Sequence, residues 1–335
     1  MAASTLPHVL VTGGAGYIGS HAVLALLDAG ARVSVLDDLS TGFRWAVPEG
    51  AAFHRGDVGD ERLVARILQE QEIGAIMHFA GSLLIAESMA NPLAYYLNNT
   101  AKSRTLIECA VKAGVPHFVF SSTCASYGVP DVVPIREDTP QRPINPYGRS
   151  KLMTETMLRD VAASSPLSYC ALRYFNVAGA DPRMRSGEST IDSTHLIKIA
   201  AEVVHGLRPS IAVFGTDYPT RDGTGVRDYI HVWDLAEAHV AALRKLIAEP
   251  GRSLELNCGY GRGYSVFEVL DAVDRIAGTK IARRIGPRRP GDPPELVADN
   301  SKILAALDWR PRHDDLDTII GHALAWERCL AERRA

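Results

Sequence analysis

Along the first half of the chain, short runs of apolar and β-branched residues alternate with longer amphipathic stretches. The runs are His8-Val-Leu-Val-Thr12, Arg32-Val-Ser-Val-Leu36, Ala52-Phe-His54, Gly74-Ala-Ile-Met-His78, His117-Phe-Val-Phe120 and Ser168-Tyr-Cys-Ala-Leu172. Near-continuous apolar runs, rather than strict alternation, suit parallel strands buried on both faces. The spacing predicts helices from Ser20 to about Ala29, ended by Gly30, and from Asn98 to about Ala113. A third begins at Asn145, a good cap, with Pro146 at the first helical position. Strand and helix in turn predict a doubly wound parallel sheet of the α/β class. Beyond about residue 180 the loops lengthen, and Gly, Pro and Arg gather at Gly215–Arg227 and Gly286–Pro294. The expected organisation is one domain over 1–180 and a smaller, interwoven lobe over 181–335. Within the lobe, about 228–246 should pack back on the first domain through the Ala/Leu-rich helix Trp233–Leu243.

Composition narrows the class. The 335 residues are 46% hydrophobic and 22% charged, ordinary for a globular protein. Lys plus Arg (36) against Asp plus Glu (39) leaves a net charge of −3, which gives no support for a nucleic-acid or membrane-surface partner. The five cysteines are scattered without a C-x-x-C pair and read as reduced thiols of a cytoplasmic protein. Met1–His8 lacks the regions of a signal peptide, and no apolar run would span a bilayer. No histidine spacing suggests a metal site, and no G-x-S-x-G elbow suggests a hydrolase.

The first run leads into Gly13-Gly-Ala-Gly16-Tyr-Ile-Gly19. Such glycines serve a tight turn, close approach of backbone to a pyrophosphate, and packing of helix on strand, and the helix N-terminus offers N–H groups to the phosphates. Asp37, 18 residues past Gly19, stands where an acid bonds the adenosine ribose; it favours NAD over NADP because it would repel a 2′-phosphate. Asp57 could reach the adenine. The fold expectation is therefore a Rossmann-type sheet with NAD as cofactor.

Tyr147 lies in the first turn of the Asn145 helix, and Lys151 one turn on, on the same face. A free tyrosine ionises near pH ~10. A neighbouring ammonium and the positive end of the helix dipole both favour the phenolate, so the pair can deprotonate a hydroxyl.

These strings resemble the extended short-chain dehydrogenase/reductase superfamily and, within it, the UDP-glucose (UDP-galactose) 4-epimerase family, from about Val9 to about Trp326. The resemblance is carried by Val11–His21, Tyr95-Tyr-x-Asn-Asn99, Phe120-Ser-Ser-Thr123, Tyr147–Lys151, Arg173-Tyr-Phe-Asn176, Asp222–Val232 and Arg288-Arg-x-Gly-Asp292. Dehydratases of the superfamily carry an Asp-Glu pair after the threonine; here Cys124 and Ala125 can do no acid–base work. The resemblance implies oxidation at sugar C4, turnover of a 4-keto sugar in the pocket and reduction from the other face, with no net redox. Tyr147 is implied as the base, Lys151 as its charged neighbour and holder of the nicotinamide ribose, and Thr123 as a hydrogen-bond partner of the sugar O4. The implied cofactor contacts are Gly13, Gly16, Tyr17, Ile18, Asp37, Asp38, Thr41, Gly42, Asp57, Val58, Phe79, Ala80, Asn98, Ser121, Tyr147, Lys151 and Phe175. Arg227 and Arg289 are implied to hold the UDP pyrophosphate, Asp292 to accept from the uridine ribose, Asn176 to donate to a phosphate or the sugar, and Ala212–Phe214 to line the uracil. A homodimer is implied through helices near 90–110 and 150–163.

Three positions depart from the family pattern. His195-Leu196 stands where many members have Asn-Leu, and either a structural histidine or a substrate contact fits it. Leu296, at the pocket edge, is intermediate between the large aromatic and the small residue of other members, and would admit a 2-acetamido sugar. Leu83-Leu84 replaces a polar residue of some members. The alternatives left open are a UDP-pentose 4-epimerase, an added activity on UDP-N-acetylhexosamines, and a non-catalytic NAD-binding scaffold.

Overall fold

The computed structural model describes residues 6–289 and 292–334. Most of the Met1–His8 segment, and Pro290 and Gly291 within the Arg288–Asp292 string, lie outside the described residues. The strands are β1 (Val9–Thr12), β2 (Val33–Asp37), β3 (Ala52–Arg55), β4 (Ala75–His78), β5 (His117–Thr123), β6 (Ser168–Tyr174), β7 (Asn176–Ala178), β8 (Ile211–Phe214), β9 (Val226–His231), β10 (Leu254–Cys258), β11 (Gly263–Ser265), β12 (Arg283–Gly286) and β13 (Glu295–Leu296). The helices are α1 (Tyr17–Asp28), α2 (Glu61–Glu70), α3 (Ile85–Ala90), α4 (Pro92–Tyr95), α5 (Lys102–Lys112), α6 (Pro146–Ser164), α7 (Leu196–Val204), α8 (Val232–Ala248), α9 (Val266–Ala277), α10 (Ser301–Ala306) and α11 (Leu316–Arg334).

Seven strands form the main sheet, in the order β10-β6-β5-β4-β1-β2-β3, and every pair is parallel. This is the doubly wound α/β arrangement expected from the alternation. Its edge strand β10 and the helix α8 come from beyond residue 250 and residue 230 respectively, and α8 packs on α1, β5 and β6. Side chains of β1 divide between the two faces. Val9 and Val11 join a core with α1 and α8, while Leu10 joins one with α2, α5 and α6. With both faces covered, the whole of β1 is buried, which is why it reads as a continuous apolar run. The order reverses between β1 and β4, and that crevice at the carboxyl ends is where such sheets bind ligands. A smaller sheet (β11-β9-β13, with β7 on β9) and the β8–β12 pair build the second layer beside it.

Three elements differ from the sequence-based expectation. The helix α1 begins at Tyr17 rather than Ser20; Gly16 is its extended N-cap, with no side-chain cap and no acid in the first turn. The N–H groups of this helix end go without a side-chain acceptor. The helix placed at Asn98 starts at Pro92, capped by Asn91, and runs through a π-helical segment, Tyr96–Ala101, into α5. Inserted π turns cluster at functional sites. This one directs Asn98 and Asn99 onto Ser82, past the end of β4: Asn98 donates to Ser82 Oγ (2.9 Å), and Asn99 accepts from the Ser82 N–H (2.7 Å) and donates to its carbonyl (2.9 Å). Finally, β5 extends to Thr123, paired with Tyr174 of β6, so the serine–threonine hydroxyls belong to the strand and are fixed by its ladder.

Candidate active site

The glycine turn after β1 is packed to its limit. Gly13 has φ +73°, and a Cβ there would lie 2.5 Å from the Ala80 nitrogen. A Cβ on Gly19 would lie 2.1 Å from the Gly13 carbonyl oxygen. Gly42 is set against the Ala15 backbone, where a Cβ would come within 2.8 Å of the carbonyl carbon. Only glycine allows β1, α1, the β2 loop and the Phe79-Ala80 segment to meet. Asp37, at the end of β2, is buried; one carboxylate oxygen accepts from Ala15 N (2.9 Å) and the other from Leu39 N (2.9 Å). Burial pushes its pKa up, against these two bonds. Each oxygen keeps a free lone pair, and no cation neutralises the carboxylate among the described residues. An uncapped helix end, a glycine cradle and a buried acid with spare acceptor capacity fit an adenine dinucleotide.

Around this cradle the remaining expected cofactor residues take distinct places. Tyr17 donates to the Gly179 carbonyl (2.7 Å), tying the turn to the second layer. Ile18 packs against the core. Asp38 is exposed and accepts from Ser40 N (2.8 Å), and exposed Thr41 edges the cavity beside Gly16. Phe79 packs on His239 (centroids 4.7 Å). Val58 and Phe175 are buried. Asp57 is not left free as expected: it accepts from Gly59 N (2.7 Å) and pairs with Lys102 (2.5 Å). An acid at a strand end next to a lysine finds that partner at little cost, so reaching an adenine would mean sharing it.

The helix carrying the Tyr-Lys pair starts as expected, with Asn145 Oδ1 accepting from Gly148 N (2.8 Å). Its first turn meets the end of β5, and a Cβ on Gly148 would strike the Ala125 carbonyl at 2.4 Å. Lys151 is buried, donates to the Ser121 carbonyl (2.9 Å) and lies over the Phe120 ring (5.0 Å). That contact uses one of its three donors. Burial lowers its pKa to about 8, with Glu155 acting the other way. Tyr147 sits edge-on to Tyr95 (6.5 Å). Here the structure corrects the sequence reading. Burial pushes Tyr147 up to about 12, with the Thr123 hydroxyl beside it pulling down and Cys124 adding a smaller push upward. The lysine points at Ser121, and loss of water outweighs the helix dipole. In the protein alone the phenol is therefore protonated near neutral pH.

In the second layer the expected substrate residues come together in pairs. Arg227 of β9 and Asp292 form an ion pair, where separate roles toward ligand were expected. Arg227 also donates to the Val226 carbonyl (2.8 Å). The Arg289 guanidinium lies 4.0 Å from the Phe214 centroid. Val213 is a correction: it is wholly buried in the core, because alternate residues of β8 face opposite ways, so only Ala212 and Phe214 remain for a uracil. Leu296 is buried with Cys124, Tyr127 and Phe175, and is paired in register with Arg227. Asn176 opens β7 beside Tyr229. His195 precedes Leu196 at the start of α7 and bonds to Glu188 (2.7 Å); that carboxylate raises its pKa against burial. Leu83 is half exposed.

One supporting network went unread in the sequence. Glu155, one turn beyond Lys151, is fully buried and accepts from Arg173 (2.7 Å at Nη2), Gln141 (3.2 Å) and Ser122. Arg173 also reaches Glu255 (2.6 Å) and Tyr127 (3.0 Å), and Tyr174 meets Ser121. A glutamate four residues past the lysine, with an arginine closing the next strand, is a signal available in the sequence.

A search of family models matches residues 9–259 to the NAD dependent epimerase/dehydratase family. The chain belongs to that family. It is 54% identical over 326 residues to the UDP-glucose 4-epimerase of Azospirillum brasilense, covering 97% of this chain and 93% of the relative. Against the UDP-glucose 4-epimerase of Streptococcus mutans it is 46% identical, covering 95% and 96%. Among solved structures, the UDP-glucose 4-epimerase of Stenotrophomonas maltophila, with bound NAD and formylated UDP-arabinopyranose, superposes with a TM-score of 0.94 at 40% identity, covering 98% of this chain and all of that one. Membership makes NAD the cofactor, in agreement with the cradle and Asp37.

Proposed function

We propose that this epimerase interconverts UDP-glucose and UDP-galactose at sugar C4. The observation that carries the reading is the Tyr147–Lys151–Thr123 group beside the glycine cradle, its lysine and threonine buried and its tyrosine partly open to the crevice, with Cys124 and Ala125 where an eliminating enzyme needs acids. Bound NAD supplies a reversible hydride acceptor and, when oxidised, a positive charge. A cation buried in this crevice would bring Tyr147 down from about 12, because the phenolate is stabilised by opposite charge where water cannot compete. Tyr147 then takes the proton of the 4-hydroxyl and returns it. Thr123 bridges phenol and sugar oxygen, and Lys151, with donors to spare, holds the nicotinamide ribose. The ionic pair Arg227–Asp292 opens to receive the diphosphate and uridine ribose, and Arg289, resting on the Phe214 ring, joins Arg227 at the diphosphate. Leu296 bounds the sugar pocket, and His195, held by Glu188, fits either a structural role or a contact with the sugar.

Two coarser properties complete the reading. An apolar groove between Tyr96 and Met153, flanked by exposed Leu93 and Leu97, covers the helical faces where a second copy would pack, so we infer a homodimer. No helix of the described residues is long and apolar enough to cross a membrane, and no cysteine among them is bridged, which favours the cytoplasm. Sedimentation as a single monomer at micromolar concentration would refute the dimer.

The test is incubation of purified protein with UDP-galactose and no added NAD. Formation of UDP-glucose is expected. Failure on this substrate with turnover of UDP-xylose would replace the hexose by a pentose. Failure on both, with NAD released on denaturation, would leave a binding protein.

A further inference from the structure

The loop that follows β2 carries Asp37, Asp38 and Thr41 across the glycine turn, then places two aromatic rings on its far side. Phe43 N donates to the Ala15 carbonyl (3.0 Å), so the loop lies directly on the turn. Phe43 stacks on Trp45 (5.3 Å, 29°), and Trp45 stacks on Trp326 of α11 (6.2 Å, 30°). The Arg333 guanidinium, two turns further along α11, covers both indoles at 5.1 Å and 5.5 Å. Trp326 is itself pinned: its indole N–H donates to Ser189 (3.2 Å), and a Cβ on Gly187 would lie 2.3 Å from its ring. Together these segments ring a cavity bounded by Gly16, Tyr17, Thr41, Phe43, Ser189 and Thr190.

Trp45 is 42% exposed and contributes nothing to the main core, so stability of the sheet gives no reason for an indole there. Its ring contacts are with Phe43 and with Trp326 and Arg333 of α11. The loop lies on the glycine turn and lines the cavity beside Gly16 with Thr41 and Phe43, so a dinucleotide seated against Asp37 and Gly16 would meet it on the way out. We propose that Trp45, Trp326 and Arg333 form a strap that clamps this loop shut and sets the release rate of the dinucleotide. The proposal rests on the NAD reading and adds to it a specific residue set, outside the catalytic group, that governs retention. It fits the chemistry: a cofactor that ends each turnover unchanged gains nothing by exchanging.

The test uses the whole chain with its NAD. Exchange of bound NAD for its fluorescent etheno analogue is followed in wild type, Trp45→Ala, Trp45→Phe and Arg333→Ala, and melting temperatures are taken for the nucleotide-free proteins. Stacked aromatic and cation–π contacts of this kind predict exchange about tenfold faster in Trp45→Ala, with a smaller rise in Arg333→Ala. Trp45→Phe should retain most of the wild-type rate, and the nucleotide-free melting temperature of Trp45→Ala should fall by no more than about 4 °C, the cost of the lost stack itself. Equal exchange rates in wild type and Trp45→Ala would overturn the strap. So would faster exchange accompanied by a fall well beyond about 4 °C in the melting temperature of nucleotide-free Trp45→Ala, since the loop would then act through global stability. Wild-type protein that neither carries nor takes up NAD would refute the cofactor reading itself, a result separate from either.

Discussion

Lys151 and Glu155 lie one turn apart on the same face of α6, both buried, both charged, yet they serve opposite ends. Glu155 is enclosed: Arg173, Gln141 and Ser122 satisfy its oxygens, and Arg173 passes on to Glu255 and Tyr127. Lys151 donates only to Ser121 and faces the crevice with donors in reserve. A buried charge whose partners are complete is scaffold, because any change leaves an uncompensated ion. A buried charge with incomplete partners is held out of water for something that arrives later. The difference lies in satisfaction and not in burial, and it separates reactive from structural residues within 6 Å of helix rise.

The sharpest way to break this comparison is to delete function on one side and fold on the other. Tyr147→Phe should lower kcat about 10²–10⁴-fold, the range of a lost general base, with the melting temperature within a degree or so of wild type. Lys151→Met should follow in kcat and leave the fold intact, since it removes an ammonium that burial already disfavours. A kcat loss below tenfold in Tyr147→Phe would remove the tyrosine from the chemistry. Glu155→Ala should do the reverse. Stranding Arg173 beside an empty site is expected to cost about 3–5 kcal/mol in denaturant unfolding. A Glu155→Ala protein of wild-type stability would show that the enclosed network is not scaffold.

The second layer sharpens the contrast, because there the charges are paired with each other instead of being left open. Arg227→Ala should raise KM for the UDP-sugar about 10–100-fold with a smaller change in kcat, as expected for lost diphosphate binding. A kcat change larger than the KM change would place Arg227 nearer the reacting carbon than the uridine end.

The main sheet was legible because physics there is local. Runs such as Val9–Thr12 and the glycines after them state burial on two faces and close approach, and every strand of the first half appeared within a few residues of its expected place. The Tyr-x-x-x-Lys spacing likewise fixes both residues on one helix face. What the sequence could not state was long-range. That Lys151 would turn to Ser121, leaving Tyr147 raised and not lowered, depends on the end of β5. That Arg227 would meet Asp292 depends on a contact 65 residues away. The π turn at Tyr96–Ala101 points the Asn98 and Asn99 side chains at Ser82 and Ser150, partners 16 and 51 residues away in the chain.

A third kind of buried group, histidine kept neutral, gives the smallest effect and the finest probe of what satisfaction means. His78 lies between Thr12 Oγ (2.7 Å) and Ser103 Oγ (2.8 Å) with the Lys151 charge nearby, and burial followed by that charge lowers its pKa from 6.5 to about 3. Burial likewise lowers His21 and His239 to about 4 and His231 to about 2. Below pH 6.5 the unfolded chain binds protons at these four positions and the folded chain does not. Their contribution is thus complete above 6.5 and falls as pH drops, by up to ~1.4 kcal/mol per pH unit for each histidine. His195 and His313, raised by Glu188 and Asp234, act in the opposite sense: their stabilisation is present below 6.5 and fades above it. Burial lowers His8, His54, His117 and His322 as well, while Asp228, raised to about 6 by burial, joins His195 and His313; eight groups against three leave a net loss on acidification. The melting temperature should therefore be lower at pH 5.5 than at pH 7.5, and His78→Gln should flatten that slope by about one proton. A melting temperature that holds or rises toward pH 5.5 would mean that the buried imidazoles take up protons in the fold. It would also mean that His78, despite its two hydroxyl partners, belongs with Lys151 among the groups left open.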